Sequence, residues 1–169
     1  MNKEQQHFLY PSFIKVAREP VRIHTILGSC VSVCLYDKNR RIGGMNHFML
    51  PFWSGRGLAS PKYGNIAMEK LLSAMLNAGA VRNNMVAKIF GGANVLEIKS
   101  GGGHIGQRNI ELAKSMLEEM KISVVAESVG GDLGRKIIFD LSGGKVHQRM
   151  INKVKMKTMP VPEAKTMNI

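Results

Sequence analysis

The chain has 169 residues, 44% hydrophobic and 21% charged, which suits one ordinary buried core. No apolar stretch approaches the roughly 18 residues that span a bilayer, and the opening MNKEQQHFLYPSF lacks the basic-then-apolar order of a secretory signal, so direct membrane insertion is not expected and a cytoplasmic location is. The formal net charge of +12, from 24 Lys and Arg against 12 Asp and Glu, favours acidic partners, but with no aromatic stacking run and no nucleic-acid module the charge does not point to nucleic acid.

Val21 to Leu27 reads as a buried strand, broken by Gly28 and Ser29 just before Cys30. Val31, Val33 and Leu35 then alternate with Ser32, Cys34 and Tyr36. The turn formers Asp37 to Arg40 follow, and Ile42 to Leu50 completes a β-hairpin ahead of Pro51. Ser60 as N-cap, Pro61 at the first helical position, and apolar Tyr63, Ile66, Ala67, Leu71, Ala74, Met75 and Ala78 before Gly79 predict an amphipathic helix against a sheet. Met85 to Phe90 is a short central strand stopped by Gly91 and Gly92. The glycine-rich stretch from Gly101 to Gly106 opens a second helix, with Ile110, Ala113, Leu117 and Met120 as its stripe. Ile122 to Ala126, Lys136 to Leu141 and Lys145 to Met150 are further predicted strands. Strands outnumber helices, so the expected fold class is α+β, an α/β sandwich of mixed, largely antiparallel sheets packed with two main helices. One domain is expected over residues 1–150. From Ile151 onward, Lys, Met and two prolines without periodicity predict a basic, loosely ordered tail.

Two cysteines, Cys30 and Cys34, are too few for a disulfide framework or a zinc site, so both are expected as free thiols with no bound metal. A hairpin turning through Lys38 and Asn39 sets Cys30 opposite His47, at the separation of about 4.5–5.5 Å that facing side chains have on an antiparallel pair. The inference depends on register. A nearby imidazole can stabilise a thiolate and later protonate a leaving group, the minimum for acyl transfer. Gly28 and Ser29 permit a bend that exposes the sulfur and bares backbone N–H groups for an oxyanion. Cys34 shares the Cys30 face, has no facing histidine and reads as a core residue. Gly101, Gly103 and Gly106 match G-x-G-x-x-G, but the preceding segment is short and polar and the motif sits late in the chain. A flexible loop beside the active site is the plainer account, and no cofactor is expected.

The runs LGSCVSVCLYD (residues 27–37) and GGMNHFMLP (residues 43–51) resemble the CheD family of chemoreceptor glutamine deamidases. Tyr63 with Ala67-Met68-Glu69, AKIFGGAN (residues 87–94), Ile105-Gly106 with Arg108-Asn109, Gly130-Gly131 and Gly134-Arg135-Lys136 also look like blocks of that family, in the expected order. The resemblance implies a protein-glutamine deamidase with Cys30 as nucleophile and His47 as general base, hydrolysing the receptor glutamine through a thioester. It also allows receptor methylesterase activity, and it implies two partners, a chemoreceptor cytoplasmic domain and a CheC-type phosphatase. The alternative is a non-catalytic chemotaxis adaptor that binds both. The family commonly has a threonine six residues before the cysteine; here that position is His24, with Thr25 one residue later, so either could be the third catalytic residue.

Overall fold

The computed structural model describes residues 4–18, 20–95 and 104–152. Strand β3 (Val21–Leu27) carries its sequence alternation directly into space: Val21, Ile23, Thr25 and Leu27 are buried, while Arg22, His24 and Ile26 lie on the more open face. It belongs to a four-stranded sheet in the order β1 (Gln5–Phe8), β3, β8 (Gly134–Asp140), β9 (Lys145–Ile151). A second, five-stranded sheet runs β2 (Ile14–Arg18), β5 (Ile42–Asn46), β4 (Val31–Asp37), β6 (Met85–Gly91), β7 (Ser123–Val129). The pairs β1/β3 and β6/β7 are parallel and the other pairs are antiparallel.

Two apolar cores separate three layers. Ile23, Leu27, Cys34, Tyr36, Met45, Phe90, Ile137 and Phe139 fill the space between the sheets. On the other face of the five-stranded sheet, Val31, Val33, Leu35 and Phe48 meet Leu71 and Met75 of α1 (Gly64–Asn77) and Ile110 and Leu117 of α2 (Ile105–Glu119). Strand β4 is therefore covered on both sides. That is why all seven residues of VSVCLYD are buried, polar ones included. The α+β sandwich with two main helices matches the expectation from sequence. The predicted tail lies almost wholly outside the described residues.

Several boundaries differ for physical reasons. The hairpin turns about Asn39 and Arg40, one residue later than predicted: Asp37 pairs with Ile42, and its Oδ1 accepts the N–H groups of Asn39 and Arg40. Helix α1 begins at Gly64 rather than Pro61, because the N–H groups of Gly64 and Asn65 bond the carbonyls of Leu50 and Pro51 and no side-chain cap is used. Gly79, with φ of 102°, ends it as expected. β1 and β2 are outermost in their sheets and were not predicted; one is largely exposed and polar, and both are short.

Gly101 and Gly103, and with them most of the loop read from the G-x-G-x-x-G match, lie outside the described residues, while Gly106 has a packing role. A Cβ on Gly106 would stand 2.4 Å from the Gly92 carbonyl oxygen and 2.8 Å from that of Ala93, so α2 rests its first turn directly on the backbone leaving β6. Backbone on both sides leaves nothing soft to move. Gly106→Ala is expected to cost about 1–3 kcal/mol, read as a lower denaturant midpoint at constant m-value. An unchanged midpoint would mean the helix can shift freely.

Candidate active site

The segment joining β3 to β4 crosses from one sheet to the other, and Cys30 sits on it at the edge of the inter-sheet core. The positive φ angles nearby fall at Gly91 and Gly92, not at Gly28, so the bend before Cys30 does not use glycine's special freedom. Those two glycines instead let β6 approach: a Cβ on Gly91 would lie 2.2 Å from the Cys30 carbonyl oxygen, which accepts the Gly92 N–H at 2.8 Å. The carbonyl of Gly28 likewise accepts the Ala93 N–H.

The observed register corrects the direct Cys30–His47 facing. Cys34 pairs with Met45 and Val31 with Phe48, so the same spacing sets Met49 opposite Cys30 and Ser32 opposite His47. The slip changes each partner by two, which preserves the face. Cys30 and His47 are thus diagonal rather than facing neighbours on the side of the sheet that looks toward β3, at the roughly 7–8 Å typical of such pairs. The bridge between Val31 and Phe48 lies between them, and regular pairing lapses beyond His47, where the Asn46 side chain takes the Val33 N–H.

His47 is buried and its Nδ1 lies 2.7 Å from the Thr25 hydroxyl oxygen, across the gap between the sheets. The same hydroxyl donates to the Leu9 carbonyl at 2.7 Å. A hydroxyl has one proton to give. With that proton committed to Leu9, Thr25 can only accept from His47, so Nδ1 carries the imidazole hydrogen and Nε2 keeps a free lone pair. His24 is excluded from this arrangement by the strand's alternation: it faces outward and bonds the Gln6 side chain. Of the two candidates for the third position, the structure brings Thr25, and not His24, to His47.

Burial dominates the electrostatics. It pushes the Cys30 thiol up to about 11, offset only in part by the cysteine's own N–H, and holds His47 down at about 4. Both groups are neutral near pH 7. Cys34 is driven still further up and has no imidazole partner, as a core residue should be.

Two contributors were not anticipated. Leu9, whose carbonyl holds Thr25, lies in an N-terminal segment with no predicted element. Asn109 is fully buried, and its Nδ2 donates to the carbonyls of Ser29 and Met49, both at 3.0 Å. An amide beside Ile110 and Ala113 on the apolar stripe of a helix was the available signal.

A family model described as CheD chemotactic sensory transduction matches residues 49–150. A protein of Trichlorobacter lovleyi described as a probable chemoreceptor glutamine deamidase CheD is 54% identical over 142 residues, covering 84% of this chain and 88% of that one. The chain belongs to the CheD family. Similarly described proteins of Sulfurimonas denitrificans (45% identical, covering 88% of this chain and 96% of that one) and Methanococcus vannielii (38%, covering 84% and 93%) extend the likeness across bacteria and archaea. The family model begins after His47, but 150 aligned residues of 169 in the Sulfurimonas relative take in Thr25, Cys30 and His47 wherever that alignment starts. Among the described residues of this CheD chain, no helix is long and apolar enough to cross a membrane.

Proposed function

We propose that this chain is a cytoplasmic protein-glutamine deamidase that converts glutamine side chains of chemoreceptors to glutamate. The observation that carries the reading is the chain of contacts from Leu9 through Thr25 to His47, which leaves His47 Nε2 as an unprotonated base on the face that Cys30 shares. Relatives named as chemoreceptor glutamine deamidases supply the substrate class.

In this mechanism the Cys30 thiol gives its proton to His47 Nε2 as the sulfur attacks the carboxamide carbon. The carbonyl oxygen takes the negative charge, met by backbone N–H groups at Ser29 and Cys30. Collapse of the adduct breaks the C–N bond, and His47 returns the proton so that ammonia leaves and a thioester remains. Water then attacks the thioester, losing a proton to His47, and the products are a glutamate side chain and the regenerated thiol. A glutamyl methyl ester could enter the same thioester with methanol as leaving group. The excess positive charge suits encounter with a carboxylate-rich receptor bundle, and family likeness makes a CheC-type phosphatase the second proposed partner.

The test uses the full chain and a purified receptor cytoplasmic fragment. Ammonia release in step with a gain of about 1 Da at individual glutamines, located by peptide mass spectrometry, is the expected result, since exchanging –NH2 for –OH is the net chemistry. A receptor that binds but keeps all its amides would overturn the enzyme reading in favour of an adaptor.

A further inference from the structure

Asn109 reaches the active site from the helix layer, on the opposite side of the five-stranded sheet from Thr25. Its two amide hydrogens are both used, one on the Ser29 carbonyl and one on the Met49 carbonyl. The orientation is forced: with oxygen and nitrogen exchanged, an acceptor would face two acceptors. Its Oδ1 is buried and without a partner among the described residues, a state that ordinarily costs about 1–3 kcal/mol. Such a cost is tolerated where the two donated bonds matter.

The Ser29 carbonyl and the Cys30 N–H belong to one planar trans peptide, so they point in opposite directions. Drawing the carbonyl toward α2 turns the N–H toward the face between the sheets, the face Cys30 packs on. The Cys30 sulfur packs on that same face. A carbonyl carbon under attack by that sulfur would place its developing oxyanion within reach of the same N–H. The second bond, to Met49, ties down the residue opposite Cys30, just past the last bridge between the hairpin strands.

We propose that Asn109 is a positioning residue for deamidation: by holding the Ser29 carbonyl it aims the Cys30 N–H at the oxyanion formed on the substrate carboxamide. The inference rests on the deamidase reading and goes beyond it by assigning the device that orients the oxyanion site. It acts through the peptide and touches no substrate.

The test compares wild type with Asn109→Ala and with Asn109→Leu, which fills the space without donating, on a short glutamine peptide. Folding is checked by circular dichroism, and the Leu variant stands in if the Ala variant unfolds. Expected is a fall in kcat of about 10²–10³-fold, the usual worth of an oxyanion donor, with KM within about threefold because ground-state binding is untouched. Alkylation of Cys30 by iodoacetamide, a displacement at a saturated carbon that forms no oxyanion, should stay within about threefold of wild type. Retained kcat in a folded variant overturns the inference, and so does alkylation that falls in parallel with kcat, which would mean general damage to the site. A wild-type chain that deamidates no glutamine overturns the deamidase reading itself, a result distinct from an active wild type matched by its variants.

Discussion

Cys30→Ala is expected to reduce ammonia release from receptor glutamines to background, a loss of at least about 10⁴-fold if the sulfur forms the acyl-enzyme. With the thiol held up at about 11 by burial, only about one molecule in 10⁴ carries a thiolate at pH 7. In the proposed mechanism the proton accordingly passes to His47 as attack occurs, rather than before it. Cys30→Ser should be similarly inactive, because a serine hydroxyl is harder still to ionise and no ready-made ion pair exists to help it. Cys34→Ala is the control: Cys34 is buried in the same inter-sheet core with no catalytic contact, so it should lose stability and keep turnover. Measured together by ammonia assay and peptide mass, these variants separate chemistry from folding. Activity in Cys30→Ala within tenfold of wild type would discard the nucleophile.

Removing the proposed base comes next in size. His47→Ala should lower kcat by about 10²–10⁴-fold, the range for positioned general acid–base groups. Thr25→Val, which keeps the shape of the side chain but unpins the tautomer, should cost about 10–100-fold, whereas His24→Ala should turn over like wild type. A folded His24→Ala variant slower than Thr25→Val would favour His24 as the third residue. His47 also writes a signature into stability. Its folded value of about 4 lies below the ordinary 6.5, so between these values the unfolded chain binds the proton and the folded one does not. The sign follows: the contribution is fully present above pH 6.5, declines as pH falls, and levels off below about 4, a total of about 3 kcal/mol at 1.36 kcal/mol per pH unit. Urea midpoints taken across that window should fall in wild type, and this part of the fall should be missing in His47→Ala.

What could be read from the sequence was local. The alternation Val21, Ile23, Thr25, Leu27 already places residue 25 inside and residue 24 on the more open face. The alternation in β4 marked a strand but did not report its cover on both faces, since Ser32 and Asp37 are buried with the apolar residues. The hairpin was visible but its centre was not, because Asp37 looks like a turn residue and acts as the last strand residue, with its side chain spent on the turn's N–H groups. The rest depends on partners distant along the chain. β1 owes its strand state to pairing with β3, so the Leu9 carbonyl that disciplines Thr25 was invisible. Asn109 finds its carbonyls 80 and 60 residues away, so its place on the apolar stripe could flag a buried amide but not name its partners.

The placement of Thr25 on one sheet and His47 on the other makes the enzyme a gauge of slippage between layers. Each strand can remain intact while the two sheets slide by a single residue step of about 3.3 Å, and that displacement alone breaks the contact fixing the imidazole. Openings of this partial kind require less free energy than unfolding the whole domain. Loss of that contact is expected to end turnover on warming before strand and helix content falls, which activity and circular dichroism followed on one sample would check.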